Sequence, residues 1–385
     1  MIFINVRVKK RCHLLSVAKG YLIAFLLFFV STGAHALQYK GLDLKISGTT
    51  SETYDDNLTF SKADKKEDFI TALGLNMSTA YEGKRRFLNL AGGFNYGFNA
   101  RYKDIKNSSE YLNLNFKNEF SNYDDITLNY NFSHSSTPGS FQEAFGRVSG
   151  RYESYANNYG VHYLRNLSEH FSISAMYNYS SSKAELEEVD KWWQSSYGIN
   201  CNYLYSTDTS VVLSYSHANS SSDVVIESTS IGLRQNISIT KAIQLSGNVG
   251  MSSTSAENSK SSALNMDIAL QYEIDQKTNF SLAYTKNIQT YPNTDDAYRN
   301  WQINSSLAHN FLEQLNSTIS SFYAEGKSIS TDITNRFLGV SFLLQYEISE
   351  HLTTSLNYVY SNSNSTNELG GYNRDAVTAN VSLNF

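Results

Sequence analysis

The residue types that most often carry catalysis or metal binding are thinly spread along this 385-residue chain. Histidine exchanges protons and binds metals near neutral pH, and the chain holds eight of them. His13 and His35 lie in a leader, and His170 and His351 fall in short polar breaks. His134, His217 and His309 stand at segment ends or on the apolar side of an alternating pattern, so only His162 stands on the polar side in mid-segment. Hydrolysis needs a nucleophile or activated water, a base and an orienting third group. No Ser, Asp or Glu pairs with His162 by spacing, so no enzyme is expected, with no catalytic residue, metal or cofactor.

What remains is a set of charges on the polar parity: Asp43, Lys45, Arg101, Lys117, Glu119, His162, Arg234 and Asp267. Charges projecting into a pore tune its selectivity, so these are the candidate pore-lining residues. A second candidate is the stretch Ser136–Glu153, carrying Phe141, Glu143, Phe145, Arg147 and Arg151. Either it folds into a lumen as a constriction or it extends outward as a solvated loop. Both readings depend on the elements that position them.

Residues 1–36 read as a secretory signal: Arg7, Lys9, Lys10, Arg11 and Lys19 lead, Tyr21 to Val30 form an apolar run, and Ala34-His35-Ala36 ends it. That run is too short for a permanent membrane helix, and Cys12 precedes it, so a lipoprotein anchor is not expected. Residues 37–385 form the mature domain, with 26 basic against 36 acidic residues and a net charge of −10. This balance excludes a nucleic-acid partner held by basic surplus. Cys201 is the cysteine left after cleavage, so neither a disulfide nor a cysteine metal cluster forms. Its apolar parity makes it a small apolar filler.

The mature segment alternates with period two. Val377, Ala379, Val381, Leu383 and Phe385 interleave with Thr378, Asn380, Ser382 and Asn384, as a strand with one apolar and one wettable face requires. Ile126 to Phe132, Leu264 to Ile274 and Leu338 to Ile348 repeat the pattern. Several runs reach the length a tilted strand needs to cross hydrocarbon. The negative mean hydropathy of −0.38 fits a barrel, because half of each strand faces a polar lumen.

Short breaks near residues 82–86, 122–125, 166–170, 206–209, 240–242, 275–278, 312–315 and 349–351 alternate with longer polar stretches at 55–68, 136–153, 182–190 and 362–374. Eight short turns with a strand at each chain end predict about 18 strands, with 16 as the alternative, and both termini periplasmic. Tyr81, Phe120, Tyr163, Tyr205, Tyr272, Phe311, Tyr346 and Phe385 recur before those turns as a periplasmic aromatic girdle. Trp192 and Trp193, beside the acidic run Glu185, Glu187, Glu188 and Asp190, read as the outer girdle. Pro138 and Pro292 fall in expected outer loops, where no ladder bond is lost. Strands this long on so regular a hairpin repeat exceed the lengths usual in a β-sandwich, and the rungs of a β-solenoid are shorter and punctuated by glycine. The fold class is therefore all-β: a transmembrane antiparallel up-and-down β-barrel in the lipid of a Gram-negative outer membrane.

A barrel of 16 to 18 strands leaves an aqueous channel. Only Leu37 to Lys40 precede the first expected strand at Leu42, so no plug domain is expected. The polar parity is rich in amides and hydroxyls, among them Asn113, Asn115, Asn129, Asn131 and Asn357, which hydrogen-bond a passing sugar without gripping it.

Ser51-Glu52-Thr53-Tyr54-Asp55-Asp56-Asn57-Leu58, with Glu67-Asp68-Phe69-Ile70-Thr71 and Leu73-Gly74-Leu75, resembles the opening hairpin of a family of outer-membrane β-barrel porins found with exopolysaccharide biosynthesis clusters. The resemblance implies a conduit for secretion of an exopolysaccharide or capsular polysaccharide. It implies periplasmic polysaccharide-export components and the glycan as partners, and it transfers no site residues. The terminal Phe385 resembles the signature read by the barrel assembly machinery. Two alternatives stand beside the conduit: a general or small-solute diffusion porin, favoured by an inward-folded Ser136–Glu153 loop, and a surface adhesin or receptor anchored by its barrel.

Overall fold

The computed structural model describes residues 37–39, 42–145, 150–185, 191–222, 224–235, 242–256, 259–290, 297–331, 333–366 and 371–385. Residues 1–36, Arg147, Glu187, Glu188, Asp190 and Pro292 lie outside the described residues. The strands are β1 (Leu37–Tyr39), β2 (Leu42–Asp55), β3 (Asp68–Glu82), β4 (Arg86–Asn99), β5 (Asn107–Glu119), β6 (Asp124–Ser135), β7 (Ser154–Asn166), β8 (Phe171–Ala184), β9 (Trp192–Ser206) and β10 (Thr209–Ser220). They continue with β11 (Val225–Gln235), β12 (Ile243–Ala256), β13 (Ser259–Asp275), β14 (Thr278–Thr290), β15 (Ala297–Asn310), β16 (Leu315–Ser328), β17 (Thr334–Ser349), β18 (Leu352–Ser365) and β19 (Gly371–Asn384). One short helix, α1 (Phe141–Phe145), lies between β6 and β7.

From β2 to β19 each strand pairs with the next in sequence, and β19 pairs back to β2, which closes an 18-stranded antiparallel barrel. Closure leaves no strand edge unpaired in lipid. The three-residue β1 adds to β2 below the end of β19, with Tyr39 opposite Leu42. At the seam Ile46 N–H donates to Phe385 O at 3.1 Å and Phe385 N–H donates to Ile46 O at 2.9 Å. The Thr53 and Thr378 hydroxyls meet across the same seam at 2.9 Å.

Register converts the alternating sequence into two surfaces. On β3 and β4, Leu75 stands opposite Phe94 on one face while Asn76 stands opposite Gly93 on the other. The first face is the outside: Phe94, Phe98, Ile199, Leu213, Ile231 and Met251 are each more than half exposed. A continuous apolar surface of that extent belongs in lipid. Below it, Phe120, Tyr205 and Phe311 are exposed beside the short turns, at the level where aromatic rings settle among headgroups. Trp193 is exposed on the outer face, but Trp192 is buried. Successive strand residues point to opposite faces, so of two adjacent tryptophans one only joins the girdle.

Among the described residues the largest group of buried apolar side chains sits inside the bore. Phe322, Ala324, Phe337 and Tyr372 have lumen parity, and they cluster with Phe60, Ala144 and Phe145 from two infolded loops.

Candidate functional site

The longest loop begins where β6 ends at Ser135 and returns at Ser154. Ser135 Oγ accepts the Thr137 N–H at 3.1 Å and donates to Thr137 O at 2.7 Å, turning the chain off the wall. Ser140 then caps α1: its Oγ accepts the Glu143 N–H at 3.1 Å, and Glu143 Oε2 accepts the Gly139 N–H at 2.6 Å. This reciprocal pattern satisfies two otherwise orphaned donors. Six residue steps separate Ser135 from Phe141, a reach of roughly 20 Å at full extension.

The helix docks on the inner face of β16 and β17. Phe141 lies 6.0 Å from Phe337 and 6.4 Å from Phe322, and Phe145 lies 6.3 Å from Phe322, all centroid to centroid. Gly339 provides the seat: a Cβ there would stand 2.5 to 2.7 Å from the Phe141 ring, so only the missing side chain lets the ring approach. Eight strands, β6 back through β2 and on to β19, β18 and β17, separate the loop's roots from its docking groove in the 18-strand ring. Nine would be diametrically opposite, so the loop is a chord across the lumen. It leaves β17–β6 on one side and the ten strands β7–β16 on the other.

The eight-strand side is further filled by the β2–β3 loop. Leu58 and Phe60 are 0% and 3% exposed, and Phe60 packs edge-on to Tyr372 at 5.2 Å. Its φ of 49° is a left-handed conformation uncommon for a bulky residue. It is held by the Arg374 guanidinium 4.9 Å from its ring and by its carbonyl, which accepts the Gly150 N–H at 3.1 Å. Arg374 makes a bidentate contact with Asp55, Nη2 to Oδ2 being 2.8 Å, and Asp55 is 1% exposed. Arg151 ties three loops together, donating to Leu58 O at 3.3 Å, Lys106 O at 2.8 Å, Ser136 Oγ at 2.9 Å, and Asn107 Oδ1.

The candidate charges are not gathered into one ring. Lys117 and Glu119 face the lumen on β5, with Nζ 3.0 Å from Glu119 Oε1 and 3.7 Å from Asp125 Oδ2. Lys45 stands opposite Ser78 on β2, His162 opposite Thr127 and Met176 on β7, and Asp267 between Asn248 and Thr285 on β13. The backbones of Asp43 and Arg234 pair with Ala80 and with Ser210 and Ser246, but their side chains fall outside the described residues. Arg101 is a correction. It leaves the wall, because β4 ends at Asn99, whose Nδ2 donates to Tyr102 O and Ile105 O and starts a turn. At the outer rim Arg101 instead pairs with Glu67 at 3.2 Å. Among the loop candidates, Phe141, Phe145 and Arg151 build the chord and Glu143 caps its helix.

Among the described residues no three His, Cys, Asp or Glu side chains gather as a metal site. No helix among them is long and apolar enough to cross a membrane, which says nothing against crossing by strands. The docking groove itself was not anticipated. Its sequence signal is faint: Phe322, Phe337 and Tyr372 are aromatic residues on the otherwise polar parity.

No protein-family model matches this chain. No curated protein matches its sequence. Solved structures do match in fold. OccK7 (OpdD) of Pseudomonas aeruginosa aligns with a TM-score of 0.52 at 11% identity, covering 90% of this chain and 99% of that one. OccAB4 of Acinetobacter baumannii aligns with a TM-score of 0.49 at 10% identity, covering 90% and 99%. The outer membrane protein opdK of Pseudomonas aeruginosa aligns at 0.47 and 10% identity, covering 89% and 99%. At 11% identity the likeness to OccK7 (OpdD) is one of fold. A closed barrel of this size with a lipid-facing apolar belt is an outer-membrane β-barrel, and its place is the Gram-negative outer membrane.

Proposed function

We propose that this barrel is an outer-membrane diffusion channel for small solutes, its bore narrowed by the loop between β6 and β7. The observation that carries this reading is the chord: α1 crosses the lumen and packs on β16 and β17. A conduit for a polysaccharide chain needs a bore that a polymer can occupy along its length, and an aromatic-anchored loop across the middle works against that. The likeness in fold to OccK7 (OpdD) points the same way. The polysaccharide conduit implied by the opening-hairpin resemblance has no comparable support.

In this reading solutes pass on the ten-strand side, along a wall of amides and hydroxyls such as Asn158, Asn178, Asn200 and Ser214. His162, Arg234 and Asp267 belong to the wall of that path, and Asp43, Lys45, Lys117 and Glu119 belong to strands on the eight-strand side. Residues 1–36 direct export and are removed, and Phe385 presents the last strand to the barrel assembly machinery. The test is a gene deletion with restoration of the intact barrel, following small-solute uptake alongside surface and secreted polysaccharide. Slowed uptake with unchanged polysaccharide is expected. Loss of extracellular polysaccharide with unchanged uptake would return the conduit to first place.

A further inference from the structure

The passage left open by the chord is bounded by β7–β16, and its wall carries a recess between β10 and β14. The recess holds a cavity of about 280 Å³ lined by Val212, Gly232, Asn248, Asp267, Ala283 and Thr285 among others. It exists because Gly232, Ala269 and Ala283 put hydrogen or methyl where neighbouring lumen positions carry amides. Among the described residues of β7–β16, Asp267 is the one acidic side chain with lumen parity away from a turn. Asp267 stands directly opposite Thr285 in the β13–β14 register, and its carboxylate has no cationic neighbour among the described side chains. Beside it, Asn248 Nδ2 donates to Ser230 Oγ at 3.3 Å, while Asn248 Oδ1 is shielded from solvent and has no hydrogen-bond partner.

The wall here offers the Asp267 carboxylate over a floor of Ala269, Ala283 and Val212. Acceptors with one net negative charge suit a donor that is itself positive, and charge-assisted bonds are the stronger ones. The mature chain's excess of acidic residues biases the field in the same direction. We propose that this recess is a binding subsite for small organic ammonium solutes, the ammonium at the Asp267 carboxylate and the carbon body on the alanine floor. The proposal rests on the channel reading and adds a solute class to it.

The test uses the full barrel in planar lipid bilayers, with n-butylammonium as probe and 1-butanol and butyrate as neutral and anionic isosteres. Butylammonium is expected to interrupt the ionic current at concentrations at least tenfold below either isostere. Asp267→Asn should raise the concentration needed at least tenfold, with Asp267→Glu falling between. Ala283→Leu, which fills the notch and leaves the carboxylate, should weaken the block as well. Unheated-gel mobility checks that each variant is folded. Equal action of the three probes on a conducting barrel, or an unaltered block in folded Asp267→Asn, overturns the subsite and leaves the channel standing. A folded barrel that carries no current overturns the channel reading and the subsite with it.

Discussion

Replacing Phe141 and Phe145 together by alanine removes the two rings that hold the chord to the far wall. Phe145 is 8% exposed and Phe141 packs on Phe322 and Phe337. A buried Phe→Ala change costs about 3 to 5 kcal/mol. The lower figure, assigned to one ring alone, already shifts the docked-to-undocked ratio roughly a hundredfold. Because the strands close on themselves without the loop, the loss falls on the loop and not on the barrel. The docked chord divides the ring into eight and ten strands, so undocking joins the two parts. Single-channel conductance in planar bilayers should rise, by up to about twofold, since the β2–β3 loop still fills part of the eight-strand side. Gly339→Leu attacks the same contact from the wall side, where any Cβ meets the Phe141 ring, and should raise conductance too. Unchanged conductance in both variants, with intact unheated-gel mobility, would show that the loop does not limit the bore.

Arg151→Ala removes donors shared among three loops, each charge-assisted bond contributing about 1.5 to 3 kcal/mol; noisier open-channel current and faster protease cleavage within 136–153 are expected. Arg374→Ala leaves Asp55 buried without its partner, a loss of about 3 to 5 kcal/mol, and should lower the temperature at which the barrel unfolds on heated gels. Deleting Phe385 removes two seam hydrogen bonds to Ile46; a smaller folded fraction in the outer membrane is expected in pulse-labelled fractionation.

The wall was legible because its information is local. Alternation along Leu264 to Ile274 or Val377 to Phe385 fixes which face meets lipid, whatever lies elsewhere in the chain. The bounds of the long loop were legible for the same reason, since β6 ends at Ser135 and β7 begins at Ser154. Its direction was not. Phe141 and Phe145 are apolar residues in a polar loop, but their receptor is built from Phe322, Phe337 and Gly339, nearly 200 residues away, and only barrel closure brings the two together. Arg101 shows the opposite error, where strand parity was carried past a turn that the Asn99 side chain initiates. Trp192 and Trp193 show that a girdle inferred from composition must still obey the pleat.

The bore should admit small solutes and stop polymers at the chord. Liposome swelling with the purified barrel tests it most directly, using a graded series from pentoses and disaccharides to long dextrans. Swelling should be fast with monosaccharides and slower as size increases, with no entry of dextrans until Phe141 and Phe145 are both replaced. Entry of long dextrans through the unaltered barrel, or failure to admit any monosaccharide, would contradict it.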